Sequence, residues 1–161
     1  MHQVLPCDPF DRYSPEKVFK VVADVERYNE FVPWCLQSKI VPHPLDDADM
    51  EWKAQHPTGK IFYADLAVGY QIFKECYTSR VHAIPNEYVE AQAMDMALFH
   101  NLHTFWRFLP VSNNPDECEV LFCIDFEFKS MIYAYVTNLF FNEVVKGMVK
   151  AFEHRCELIY N

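Results

Sequence analysis

Residues 118–128 alternate with a period of two. Cys118, Val120, Phe122, Ile124, Phe126 and Phe128 share one face, Glu119, Asp125 and Glu127 point the other way, and Leu121 and Cys123 lie between them. Successive side chains of a strand project to opposite sides, so this tract predicts a strand buried on one face only. Such a strand needs lateral partners and a cover for its apolar face. Partners precede it: strand-like segments are expected at 36–42, 49–55, 61–70, 72–84, 87–94 and 102–110. They are separated by His43-Pro44-Leu45-Asp46-Asp47, Pro57-Thr58-Gly59 and Pro85-Asn86, and Asn113-Asn114-Pro115-Asp116 precedes the final strand. Connections this short favour an antiparallel meander over parallel crossover units.

Two helices flank the strands. Ser14 is a good N-cap and Pro15 suits the first helical position. A helix over 15–28 places Val18, Val21, Val22, Val25 and Tyr28 on one side and Lys17, Lys20, Asp24 and Arg27 on the other. It is followed by the irregular run Phe31-Val32-Pro33-Trp34-Cys35, in which Pro33 blocks continuation of the helix. The chain closes with a predicted helix over 131–159, about 43 Å long. From Phe140 onward one half of its circumference is apolar. Before that, Ile132, Val136 and Leu139 form a stripe on the side that is polar further along. Gly147 sits inside the helix, where glycine costs about 1 kcal/mol relative to alanine, for a close backbone contact, a kink or by plain tolerance. The layout is α+β, a single domain over 1–161. A curved antiparallel sheet wrapped around the terminal helix buries both and leaves room for an apolar cavity between them.

Composition narrows the function classes. Lys+Arg 14 against Asp+Glu 23 leaves a net charge of −9, which opposes nucleic-acid binding through phosphate neutralisation. Three glycines, Gly59, Gly69 and Gly147, cannot make a glycine-rich phosphate loop. No apolar run approaches the ~18 residues of a membrane-spanning helix. Fourteen Phe, nine Tyr and three Trp suit a crowded core or a core with a hole for an apolar guest. The six cysteines match no zinc spacing and read as reduced core thiols of a cytosolic, nuclear or mitochondrial-matrix compartment. The first twenty residues show neither a secretory h-region nor an organellar presequence.

The runs Tyr28-x-x-Phe31-Val32-Pro33-Trp34-Cys35-x-x-Ser38, Ala64-x-Leu66-x-Val68-Gly69 and Tyr77-Thr78-Ser79-x-Val81 resemble the coenzyme Q-binding branch of the START superfamily. So do Leu98-Phe99-x-x-Leu102, Trp106-x-Phe108, Phe126-x-Phe128-x-Ser130, Phe140-Phe141-x-Glu143-Val144 and Ala151-Phe152-Glu153-x-Arg155. The resemblance covers residues 13–159 and departs at Tyr70, where the family usually has Phe. It implies a helix-grip fold with an apolar tunnel. It further implies non-catalytic binding of ubiquinone or a similar polyprenyl lipid on the matrix side of the mitochondrial inner membrane, supporting respiration and quinone biosynthesis. Ubiquinone is then a bound ligand, with no catalytic cofactor.

The candidate lining residues are Leu66, Val68, Trp106, Phe108, Phe122, Ile124, Phe126, Phe140, Val144 and Met148; ordinary core packing is the alternative for each. Phe31, Val32 and Trp34 form a candidate mouth, or else a loop tucked under the sheet. Ile132, Val136 and Leu139 could contact a membrane transiently or form a homodimer seam. Lys129, Lys146, Lys150 and Arg155 could meet anionic headgroups. Asp65 and Glu75 could flank a polar headgroup pocket, but the solvated outward face is the expectation for both. His100-x-x-His103 invites a metal, but i and i+3 on a strand diverge, so no metal site and no nucleophile–base pair is assigned. The alternatives to a carrier are a cyclase or aromatase of the same fold, which would need positioned polar groups in its cavity, and a ribosome-associated interaction protein, which the acidic balance opposes.

Overall fold

Seven strands, β1 (His2–Cys7), β2 (Cys35–Val41), β3 (Lys60–Tyr70), β4 (Phe73–Ile84), β5 (Tyr88–Met94), β6 (Phe99–Val111) and β7 (Asn114–Phe128), form one antiparallel sheet in the computed structural model. The structure describes residues 2–7, 10, 12–70 and 73–161, without the side chains of 2–7, 70, 73, 136, 137, 139 and 140. The order β1-β7-β6-β5-β4-β3-β2 is a meander from β2 to β7, with β1 added beside β7, Gln3 opposite Ile124. The meander is the expected one. Strand β1 was not expected: it is short, lacks a clear alternation and contains Pro6, which is tolerated at a sheet edge.

Among the described residues there are four α-helices, α1 (Pro15–Ala23), α2 (Tyr28–Phe31), α3 (Asp47–Gln55) and α4 (Met131–Tyr160). Ser14 caps α1 by accepting from the Lys17 amide at 3.4 Å, with Pro15 behind it. The helix predicted over 15–28 is broken: Asp24 leaves helical geometry, a 3-10 turn covers Val25–Arg27, and α2 follows. Segment 49–55 is helical rather than a strand. Asp46 and Asp49 form a reciprocal capping box that starts α3, a signal hidden in what reads as a turn. The 30 residues of α4 span about 45 Å.

The concave face of the sheet grips α4. Phe141, Val145, Val149, Phe152 and Cys156 are buried against it. Phe152 meets Trp106 at 4.8 Å, and Trp106 meets Phe122 at 4.3 Å. Helix α1 seals the end of the sheet, where Phe19 sits edge-on to Phe108 at 6.1 Å. Cys35, Cys118 and Cys156 are buried free thiols as expected, but Cys123 is half-buried and Cys76 exposed on the outer face of its strand, and the side chain of Cys7 lies outside the described residues.

The convex face carries α3 on a buried polar node. Asp49 is fully buried; it accepts from the Tyr63 hydroxyl, lies 3.0 Å from His82 Nε2 and 3.8 Å from Arg80. Trp52 is stacked between His56 and His82 at 4.6 and 4.5 Å, and Gly59 is required because a Cβ there would overlap the Trp52 ring. Burial pushes the Asp49 carboxyl up, but the bonds from Tyr63 and His82 outweigh it and hold it below the usual range. Its stabilising contribution is therefore complete above the unfolded-state value of about 3.9 and is lost as the pH falls through the lower folded-state value. We expect the melting temperature of the wild type to fall more steeply than that of Asp49→Asn between about pH 5 and 2.5. At pH 7 the variant should be less stable by about 1–3 kcal/mol, because the amide has one acceptor oxygen where the carboxylate has two, so one of the donors Tyr63 and His82 loses its partner.

Candidate functional site

The cavity arises from unequal side-chain size across the inner face of the sheet. The β6–β7 half carries Leu102, Trp106, Ile124, Phe126 and Phe128, whereas the β4–β5 half carries Ser79, Val81, Val89, Ala91 and Ala93. Large groups hold α4 away from the sheet: Phe126 meets Phe141 at 5.0 Å and Trp106 meets Phe152. Small groups beneath fail to fill the gap. The resulting cavity is about 250 Å³, roofed by Val144, Met148 and Phe152 of α4. It is closed laterally by Leu66, Val68 and Gly69 of β3 and by Val32–Cys35.

The loop before β2 is fixed on two sides. Trp34 has a φ of 66°, in the left-handed region that disfavours bulky residues, and its carbonyl accepts from the Gly69 amide at 2.8 Å. Its indole lies against α4 where there is no side chain, and a Cβ at Gly147 would come within 3.1 Å of Trp34 Cη2. The glycine inside the helix thus has a close-contact explanation. Behind the loop, the Tyr28 hydroxyl donates to the Val22 carbonyl at 2.5 Å. Burial raises the Tyr28 and Tyr77 hydroxyls and the Cys35 thiol above their ordinary pKa values, so all three stay protonated at neutral pH.

One wall is polar. Glu75, Tyr77 and Ser79 alternate along β4 on the inner face, with Thr104 on β6. Glu75 was expected on the solvated face, yet it is only 4% exposed. Its carboxylate accepts from the backbone amides of Ala97 at 3.2 Å and Leu98 at 2.5 Å. Asp95, with a φ of 52°, bends the β5–β6 loop, and Lys129 donates to the Met96 carbonyl at 2.7 Å. Asp65 does face outward, accepting from the Thr78 hydroxyl at 2.7 Å. The alternation Glu75-x-Tyr77-x-Ser79-x-Val81 is the available signal for an inward Glu75.

Val32, Trp34, Leu66, Val68, Trp106, Ile124, Phe126, Val144 and Met148 of the predicted set line the cavity. Three others do not. Phe122 is fully buried behind Trp106, Phe108 is covered by Phe19, and Phe31 packs on Phe152 at 5.1 Å with Arg155 over its ring. Alternation puts Phe108 and Phe122 on the inner face, but α1 covers that end of the sheet. The side chain of Phe140 lies outside the described residues, as do those of Val136, Leu139 and Tyr70. Ile132 is exposed near the start of α4. Of the cations expected to meet headgroups, Arg155 is engaged with Glu30 at 2.8 Å and Lys129 with the β5–β6 loop, while Lys146 and Lys150 are exposed. His103 lies 2.7 Å from Glu90 across the strands.

Residues 12–153 match the family described as polyketide cyclase / dehydrase and lipid transport. The chain belongs to that family. Among curated relatives it is 39% identical over 149 residues to coenzyme Q-binding protein COQ10 homolog B, mitochondrial, of Xenopus laevis, covering 92% of this chain and 55% of the relative. The chain spans about half the length of the first curated relatives it matches. The START superfamily protein from Mycobacterium smegmatis aligns with a TM-score of 0.72 at 18% identity, covering 99% of this chain and 97% of that one. The Zhui aromatase/cyclase from Streptomyces aligns with a TM-score of 0.71 at 12% identity, covering 98% and 92%. These likenesses establish the helix-grip α+β fold.

In this family member the Trp34–Gly147 contact joins loop, strand and helix at the cavity wall. Gly147→Leu should displace the indole and open the wall. We expect a shifted tryptophan emission and a lower melting temperature, whereas Gly147→Ala, which needs only a small displacement of the ring, should change both far less.

Proposed function

We propose that the protein binds ubiquinone or a similar polyprenyl quinone in this cavity, leaves it chemically unchanged and transfers it or presents it to enzymes. The observation that carries the reading is an apolar cavity with a single charged side chain among its described lining residues. The similarity to coenzyme Q-binding proteins supports the same ligand, and their names support a mitochondrial location. The matrix side of the inner membrane, with roles in respiration and quinone biosynthesis, completes the reading.

Physical chemistry explains why such a carrier is useful. Exposing apolar carbon to water costs about 0.8 kcal/mol per CH₂, or roughly 4 kcal/mol for each five-carbon isoprene unit. A dry cavity removes much of that cost without any reaction. Loading requires contact with the bilayer. The start of α4 offers Met131, Ile132 and Tyr135, exposed to 89%, 75% and 70%, as an apolar patch that inserts shallowly in the interface. With a net charge of −9, the contact is transient.

A second reading, a cyclase or aromatase acting on a polyketone, is favoured by the polar wall of Glu75, Tyr77, Ser79 and Thr104 and by the fold shared with such enzymes. Organic extraction of the purified protein with mass spectrometry separates the two. A polyprenyl quinone at a substantial fraction of one per chain supports the carrier. Its absence, together with failure to take up quinone from vesicles, overturns it, and turnover of a polyketone would put the enzyme in its place. Ala91→Phe should fill part of the cavity and lower quinone occupancy at least about tenfold while the far-ultraviolet circular dichroism stays unchanged. Ile132→Glu with Tyr135→Glu should slow uptake from anionic vesicles at an unchanged melting temperature, with little effect on the affinity for a short-tailed quinone in solution.

A further inference from the structure

The polar wall is not neutral between the two redox forms of a quinone. A quinone ring presents carbonyl and ether oxygens, which only accept hydrogen bonds. The same ring carrying two more electrons and two more protons presents two hydroxyl donors. Tyr77, Ser79 and Thr104 have hydroxyls, which both donate and accept, so they serve either form. Glu75 accepts only. Among the described residues its partners are the amides of Ala97 and Leu98, one on each of its oxygens, and an ionised carboxylate has about four such sites. The remaining acceptor capacity belongs to a group that is 4% exposed and lines the cavity.

We infer that the cavity selects the reduced, hydroxylated form of its guest, with Glu75 as the residue that discriminates. The inference rests on the quinone-lipid reading above. A quinol hydroxyl donates a charge-assisted hydrogen bond to the carboxylate, among the stronger kinds in a poorly hydrated space. A quinone carbonyl in the same place sets acceptor against acceptor and leaves that capacity unused. No electron transfer by the protein is involved; the selection is between two ligands already formed elsewhere. Glu75 sits at one end of the alternating inner residues of β4, with Ser79 on the row that leads to Ala93, which places the ring at the Glu75 end and the tail over the small residues of β4 and β5.

The test is anaerobic titration of the wild-type protein with a decyl-tailed ubiquinone and its dithionite-reduced quinol at pH 7.5, read by calorimetry. The expected result is quinol binding at least about tenfold tighter than quinone, which raises the midpoint potential of the bound two-electron couple by about 30 mV or more. Glu75→Gln should bring the ratio of the two affinities close to one. Tyr77→Phe should weaken both forms and leave the ratio in place. Equal affinities in the wild type, or tighter quinone binding, overturn the inference while the carrier reading stands. If neither form binds to folded protein, the carrier reading fails and this inference with it. Because the decisive ratio is measured on the wild type, the test survives a Glu75→Gln variant that folds poorly.

Discussion

The structure depends on a size mismatch between facing side chains. Phe126 against Phe141 and Trp106 against Phe152 act as spacers that set the distance between sheet and helix, and the alanines and valines of β4 and β5 are too small to close it. Protein interiors are normally packed as densely as organic crystals, and a void costs stability in proportion to its size. A cavity of about 250 Å³ therefore persists only because the aromatic contacts around it hold the frame apart. Those contacts also explain an aromatic composition that is high for a chain of this length.

Much of this was legible in the amino-acid order. The alternation from Cys118 to Phe128 is what the structure builds, and with it come the meander and the inward direction of Ile124 and Phe126. Ser14 with Pro15 located the start of α1. The remainder needed three-dimensional information. Helix α3 has two acidic residues in its first turn and no apolar stripe, so its nine residues form a helix through capping and through the Asp49 node rather than through periodicity. Phe108 and Phe122 lie on the correct face but at the end sealed by α1, and a one-dimensional pattern carries no information on which end is open. Glu75 sits where an isolated carboxylate would be expensive; the two amides that compensate it come from residues more than twenty positions later.

The two faces of the sheet do different work with the same kinds of residue. On the convex side, Asp49 is enclosed by Tyr63, His82 and Arg80 and is saturated with partners, so it fixes α3 and has little capacity left for a guest. On the concave side, Glu75 is compensated, among the described residues, by two backbone amides alone, and it lines the cavity. Burial of a carboxylate is common to both; only the second retains unused acceptor capacity. That difference separates a structural carboxylate from a recognition group more sharply than burial does.

The state of the cavity's thiol carries a further consequence. Cys35 lies in the wall, and burial drives its pKa up, while Cys118 and Cys156, deeper in the core, are pushed to about 11 and about 12. The thiolate, not the thiol, is the nucleophile. A compartment for the electrophilic, redox-cycling guest proposed above has to be chemically inert toward it, and here inertness follows from the same desolvation that makes the wall apolar. The burial that makes this wall apolar would also keep the sulfur beside such a guest from reacting.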